Sequence, residues 1–259
     1  MRILGLSFGF HDAGACMLDF KNIEFASHSE RYSKVKNDPW INHDLIDAAI
    51  EKGKPDVIVL HEKAWAKRIR NLLNSNFRAL REPTQRQWIK KFYPQLQDIP
   101  IKDYWHHETH AAAGVLSSNF DECAVMCIDA IGEFDTATIW QWQDGTLKKM
   151  HQTSFPSSLG LFYSAITHHV GLKPMEDEYI LMGMAAYGKP ENWKPLSKKM
   201  GKRFFRMKHP WMSHRKTIQM KENLQRGLPK NSFVGVDEFD MAAAAQDQVE
   251  QRVNAYAQY

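Results

Sequence analysis

Cysteine is scarce: Cys16, Cys123 and Cys127 are the only three. An odd number, set in apolar strand-like runs, speaks against a disulfide framework or a thiolate metal site; the thiols read as buried small hydrophobes. Long apolar runs are also missing. No window approaches the roughly 18 consecutive apolar residues of a membrane helix, so no membrane partner is expected. The opening Met1-Arg-Ile-Leu-Gly-Leu-Ser-Phe-Gly9 lacks a signal-peptide cleavage pattern and reads as a first strand, which makes a cytoplasmic location the expectation. A disorder-prone composition is absent too, since 43% of residues are hydrophobic and 25% charged. A chain of 259 residues can bury one large core or two modest ones.

Net charge is only +4, but it is unevenly placed. Residues 189–230 carry thirteen Lys or Arg against Glu191 and Glu222 alone, and residues 63–91 are also strongly basic. Such a surface attracts phosphates, nucleic acid or an acidic partner. With no recognisable nucleic-acid module, a solvated basic face is the preferred reading.

What is present begins with strands. Residues 2–9, 15–20 and 23–27 read as three consecutive strands, the first two joined by the turn Phe10-His-Asp-Ala-Gly14. This opening fits a ribonuclease-H-like or actin-like lobe, in which the first hairpin turn faces the ligand's phosphates. His11 and Asp12 are therefore candidate site residues, although Asp12 could simply cap the turn. The polar stretch of residues 29–38 offers Glu30, Arg31, Lys34 and Lys36 as charges for an anionic ligand, or forms a solvated loop. A helix is expected over 41–52, a buried strand over 56–60, basic amphipathic helices over 64–80 and 84–93, and a short strand over 99–104.

The stretch Tyr104-Trp-His-His-Glu-Thr-His-Ala-Ala-Ala-Gly114 organises the rest. If residues 106–117 are helical, His106 and His110 share a face while His107 points about 100° away. Asp129 closes the apolar run Cys123-Ala-Val-Met-Cys-Ile128, a short buried strand, and so lies at the sheet edge where open α/β folds bind ligands. Two imidazoles and one carboxylate suit Fe(II), Zn(II) or Mn(II) and leave positions open for a substrate oxygen. A solvated or capping histidine pair is the plainer alternative. Glu133 and Asp135 are weaker candidates, as outer partners of the site or as the start of the next strand. Strands follow over 136–142 and 147–152 around the Asp144-Gly145 turn, then helical segments over 156–171 and 176–188 and an Ala-rich helix over 237–259 with no C-terminal cap.

Five ordered blocks resemble the O-carbamoyltransferase family of nodulation-factor and antibiotic biosynthesis. They are Ile3-Leu-Gly-Leu-Ser-Phe-Gly-Phe-His-Asp-Ala-Gly-Ala-Cys16, Glu30-Arg-Tyr-Ser-Lys-Val-Lys-Asn-Asp38, His106-His-Glu-Thr-His-Ala-Ala112, Asp129-Ala-Ile-Gly-Glu-Phe-Asp-Thr136, and Ser158-Leu-Gly-Leu-Phe-Tyr-Ser164 with Glu178-Tyr-Ile-Leu-Met-Gly-Met-Ala-Ala-Tyr-Gly188. The resemblance implies an α/β, actin-like (ribonuclease-H-like) first lobe with a mixed sheet and flanking helices, related to enzymes of tRNA threonylcarbamoyl-adenosine synthesis. It implies transfer of a carbamoyl group from carbamoyl-adenylate, made from ATP and carbamoyl phosphate, to the hydroxyl of a small molecule or nucleoside, with bound Fe(II) or another divalent metal. His106, His110 and Asp129 match the family's metal positions. His11 and Lys36 match those that hold the carbamoyl phosphate end of the intermediate. Catalytic roles then fall to His11, Lys36 and Asp12, with Lys36 as a point charge and His11 or Asp12 orienting or deprotonating the acceptor.

The sequence departs from the family in having Ile180 where a basic residue is usual and Ala186 where Pro is usual. It also lacks a Gly-Gly nucleotide strand and a separate carbamoyl-adenylate domain. The expected organisation is a first lobe over 1–188, a basic and poorly readable insertion over 189–235, and a helix over 236–259 leading into a second lobe that is missing or truncated. A second-lobe polypeptide is then the expected partner, with nucleic acid the weaker one. The competing functions are an interaction module acting through the basic face and an ATP-using sugar kinase or ATPase of the same broad fold.

Overall fold

The computed structural model describes residues 1–73, 77, 81–206, 219–229 and 231–258. Packing divides the chain into two compact units, Met1–Thr109 and His110–Tyr259. Residues 1–188, expected as one lobe, thus contribute to both units, because the strands after residue 122 build a sheet of their own instead of extending the first one.

In the first unit β1 (Arg2–Ser7), β2 (Gly14–Asp19) and β3 (Asn22–His28) form an antiparallel meander. β4 (Val57–Leu60) and β5 (Ile101–Asp103) add in parallel to β1, giving a mixed sheet of order β3-β2-β1-β4-β5. Period-2 alternation buries Leu4 and Leu6 on one strand and Ala15 and Met17 on its neighbour. Short helices flank the sheet. They are α1 (Glu30–Ser33), α2 (His43–Ile50), α3 (Ala64–Leu73) and α4 (Gln85–Phe92). Asn42 caps α2 by accepting from Leu45 N at 2.9 Å, and Thr84 with Gln87 forms a capping box on α4. Leu45, Ile46, Ile58 and Ile89 meet in the core with the sheet residues. Part of the helix expected over 64–80, residues 74–76 and 78–80, lies outside the described residues.

The parallel register gathers several candidate residues of this unit at one edge. Leu6 lies opposite Leu60, and Leu60 opposite Asp103, so β1, β4 and β5 end together at one edge. The turn bearing His11 and Asp12 leaves from that edge, as do His61 and the segment leading to His106. Helix α5 (His106–Leu116) follows β5 and is continuous across the division at residue 109.

The second unit opens on its own antiparallel meander, β6 (Cys123–Ile128), β7 (Asp135–Gln143) and β8 (Thr146–Ser154). Asp144 and Gly145 turn β7 into β8 with φ of 51° and 69°, the left-handed pair that a two-residue hairpin needs. Helices α6 (Leu159–His169), α7 (Glu178–Met184), α8 (Pro190–Phe204) and α9 (Glu238–Ala257) supply the core, in which Phe162, Phe204, Phe205, Met241 and Tyr256 are buried.

The region expected to be poorly readable therefore begins with a fifteen-residue helix. α8 is held to α9 by buried Asp240, which accepts from Lys189 N at 2.7 Å and Asn192 Nδ2 at 2.8 Å. Several cations of the basic stretch serve packing. Arg203 lies over the rings of Phe204 and Phe233 and 3.8 Å from Glu222, and Lys221 donates to Lys202 O. Residues 207–218 and 230, which carry the remainder of that stretch, lie outside the described residues, as does Tyr259. The three cysteines are free thiols, Cys127 buried and Cys16 and Cys123 half-buried. No helix among the described residues is long and apolar enough to cross a membrane.

Candidate metal centre

Helical spacing sets the first two side chains. His106 and His110 stand four residues apart on α5, and their ligand atoms together with a carboxylate oxygen of Asp129 all lie within 4.8 Å of one another. His106 and Asp129 are half-buried and His110 is exposed. His107, expected on another face, is 1% exposed and belongs to the interior.

Asp129 is fixed from two sides. Its N–H donates to Thr136 O at 2.9 Å, tying it to the strand that follows, and its Oδ1 accepts from Ala130 N at 2.6 Å. On the other side the first turn of α6 presses on its backbone. Ser158, the N-cap, donates through Oγ to Ala130 O at 2.7 Å, and Gly160 leaves space that a Cβ would fill to within 2.6 Å of Ala130 Cα. The glycine and serine of the Ser-Leu-Gly block thus position the acid. Asp135 is engaged elsewhere, by Lys149 Nζ at 2.6 Å across the β7–β8 pair, and Glu133 is buried in the preceding turn.

At the parallel edge of the first unit, His11 Nδ1 lies 2.7 Å from Asp12 Oδ2, with both side chains solvent-accessible. Asp12 adopts φ +49°, a left-handed conformation that Asp tolerates better than most residues. The loop bearing exposed Lys36 is bonded to this turn through its backbone. Gly9 N donates to Pro39 O at 2.7 Å, Ala13 N to Asp38 O at 2.8 Å and Asp12 N to Asn37 O at 3.5 Å. Glu30 holds the same loop by accepting from Asn37 N at 3.2 Å, so its charge is used within the fold. His11, Asp12 and the Lys36 loop are therefore brought to one end of the first sheet.

Sequence reasoning passed over His61, which directly follows β4. Its ring centroid is 5.4 Å from that of His106. Burial pushes its pKa down to about 4, with His106 and Lys67 acting in the same sense and Glu62 and a hydrogen bond to the Leu6 backbone opposing. A neutral imidazole thus stands beside His106. The signal available in the sequence was its place, the first polar residue after a buried strand.

Residues 59–256 match the family described as Carbamoyltransferase N-terminus. The chain belongs to this family. His106, His110 and Asp129 fall inside the matched range, whereas His11, Asp12 and Lys36 precede it. Relatives include the Uncharacterized protein sll1178 of Synechocystis sp., 35% identical over 73% of this chain and 35% of that protein. The Nodulation protein NolO of Bradyrhizobium diazoefficiens is 36% identical over 35% of this chain and 16% of its own length. The Uncharacterized protein MJ1058 of Methanocaldococcus jannaschii is 25% identical over 99% of this chain and 53% of its own. The chain spans about a third of the Synechocystis protein and about half of MJ1058. Among solved structures, the Lmo2764 protein of Listeria monocytogenes aligns with a TM-score of 0.34 at 8% identity, over 97% of this chain and 99% of its own.

Proposed function

We propose that this chain is the metal- and phosphate-holding part of an O-carbamoyltransferase of actin-like plan, which moves a carbamoyl group from carbamoyl-adenylate to the hydroxyl of a small molecule or nucleoside. The observation that carries this reading is the convergence of His106, His110 and Asp129 in a member of the carbamoyltransferase family. Two neutral imidazoles and a carboxylate fit Fe(II) or another divalent cation, with coordination positions left for a phosphate oxygen. When bound, such an ion supplies Lewis-acid stabilisation of the charge that builds on the departing phosphate.

The chain's own residues do the rest. With Nδ1 donating to Asp12, the His11 imidazole keeps the lone pair on Nε2 and faces the acceptor as a base, an orientation held by the 2.7 Å contact. The hydroxyl oxygen bonds to the carbamoyl carbon and its proton passes to Nε2. The bond from that carbon to the phosphate oxygen breaks, and AMP leaves with the electron pair. Lys36, on the loop bonded to the same turn, meets the phosphate as a point charge. ATP and carbamoyl phosphate, the sources of the adenylate, and a second lobe that completes the nucleotide site are parts of this proposal.

The test is metal stoichiometry. Fe(II) or Zn(II) should bind one ion per chain, and His106→Ala/His110→Ala should abolish it; unchanged stoichiometry would remove the metal claim. Carbamoyl transfer assayed with the second lobe supplied tests the activity separately. The alternative is an interaction module that binds nucleic acid or an acidic partner through exposed cations such as Lys194, Lys198, Lys199 and Lys202; steep salt dependence of DNA binding without carbamoyl transfer would favour it.

A further inference from the structure

A surface helix of a soluble chain ordinarily buries its apolar stripe and turns its polar side to water. Helix α3 does the opposite. Ala64, Lys67, Arg68 and Asn71, spaced i, i+3, i+4 and i+7, share one side and face the start of α4 across a narrow cleft. Lys67 is paired there with Glu62 at 2.9 Å, and Arg68 donates to Glu82 O at 2.7 Å, so this polar side is engaged within the fold. Trp65, Ile69, Leu72 and Leu73, spaced i, i+4, i+7 and i+8, form another side and are 54%, 44%, 47% and 74% exposed. Ala66 alone of the helix's residues is buried, and Phe77 beyond it is 62% exposed. A contiguous apolar stripe that gains nothing from its own fold marks an interaction surface.

Charge narrows the choice of surface. Residues 63–91 carry nine Lys or Arg against Glu82 alone. Glu62 and Asp103 pair with Lys67 and Arg86, which still leaves a strong positive excess, and Arg81, Lys90 and Lys91 are exposed. A second copy meeting this one through the same face would set two cationic stretches against each other. Nucleic acid would match the cations but leave the apolar stripe in water. An anionic bilayer surface satisfies both, with headgroups against the cations and the boundary of the acyl region against the stripe. Trp65 suits that boundary, where indoles concentrate. A helix far too short to span a membrane can lie on one.

We propose that α3 is a docking face for anionic lipid membranes, lying in the headgroup plane with Trp65, Ile69, Leu72 and Leu73 inserted. The claim concerns binding and does not depend on carbamoyl transfer. The test is cosedimentation of the whole chain with phosphatidylcholine vesicles, with and without phosphatidylserine, at low and high salt. Binding is expected to the phosphatidylserine vesicles, weakened by salt, and to be about tenfold weaker or more on phosphatidylcholine alone. Leu72→Asp/Leu73→Asp changes only exposed positions, so its denaturant midpoint should match the parent while its affinity for the vesicles falls about tenfold or more. Phe120→Asp, an equally exposed apolar position in the second unit, should bind as the parent does. Absence of binding to phosphatidylserine vesicles, equal binding to both lipids, or undiminished binding by a folded Leu72→Asp/Leu73→Asp chain would overturn the proposal. Binding of poly-glutamate that depends on Leu72 and Leu73, without vesicle binding, would overturn it in favour of an acidic polypeptide.

Discussion

Gly160 meets Ala130 backbone to backbone: a methyl group built on Gly160 would come 2.6 Å from both the Cα and the N of Ala130 and 2.9 Å from the carbonyl carbon of Asp129. No flexible side chain can move aside at such a contact. Gly160→Ala is therefore expected to push the 129–130 backbone away from α6, costing about 1–3 kcal/mol of stability and weakening metal binding through Asp129. Gly183→Ala is the control. Gly183 is a helical residue with open space where its Cβ would be, so the same change there should stabilise by roughly 0.5–1 kcal/mol. Denaturant midpoints and metal affinity of the two variants check both halves of this prediction.

The strands of both meanders were legible because their alternation and turn residues agree with one another. The expected strand over 23–27 and that over 147–152 fall within β3 and β8. Thr84 and Gln87 likewise announced the start of α4 through a capping box. Helix α8 was not legible. Pro195 and Gly201 sit within it, so local propensity speaks against a helix that tertiary contacts with α9 sustain. The division at residue 109 was hidden for a related reason, since α5 reads as one helix and nothing in its periodicity marks a change of packing unit. In the site, spacing gave His106 and His110, and a strand end gave Asp129. His61 had only its place after a buried strand to mark it, and its nearness to His106 emerges once β4 and β5 are seen to end side by side.

The contact of His11 with Asp12 predicts a kinetic outcome. Asp12→Asn keeps the size of the side chain but can offer its N–H₂ to His11 Nδ1, which favours the tautomer with the proton on Nε2 and removes the base. With the second lobe supplied, carbamoyl transfer should drop by about 10²-fold, while metal stoichiometry stays at that of the unaltered chain. Lys36→Ala should cost less than removal of the metal, because one exposed cation contributes less than a coordinated ion. Equal rates for Asp12→Asn and the parent would remove the base from His11.

Two tyrosines make alkaline stability a readout of each unit. Burial pushes the Tyr93 phenol up to about 12, with Asp38 and Asp47 adding to the shift, while its hydroxyl donates to Ile41 O at 2.6 Å. Burial, then Glu178 and Glu250, raise Tyr163 to about 12 as well, and its hydroxyl donates to Gln246 Oε1 at 2.8 Å. A folded-state pKa above the unfolded value of about 10 means that stability is fully present below pH ~10 and is lost as pH rises towards 12. For buried Tyr93 the loss should be on the order of 1–3 kcal/mol. Absorbance titration should show Tyr93 and Tyr163 ionising late. Tyr93→Phe and Tyr163→Phe should each remove one late-ionising phenol, and unfolding curves at pH 9 and 11, values roughly flanking the unfolded pKa, should lie closer together in the double variant.

His107 and His110 on α5 should separate packing from ligation. His110 is exposed and belongs to the proposed metal-binding group, whereas His107 is 1% exposed and does not. His110→Ala is expected to leave the stability of the metal-free chain within about 0.5 kcal/mol of the parent, as surface changes usually do. It should abolish the stabilisation that saturating Zn(II) or Fe(II) confers, which is about 2.7 kcal/mol at a hundredfold excess over Kd. His107→Ala should do the reverse, costing about 1–3 kcal/mol without metal while retaining a metal-dependent rise in midpoint. The decisive measurement is the double-mutant cycle in metal concentration. If His107→Ala and His110→Ala lost the metal-dependent increment alike, the ion would not be held by the i, i+4 face of α5, and the site would have to be sought among other side chains.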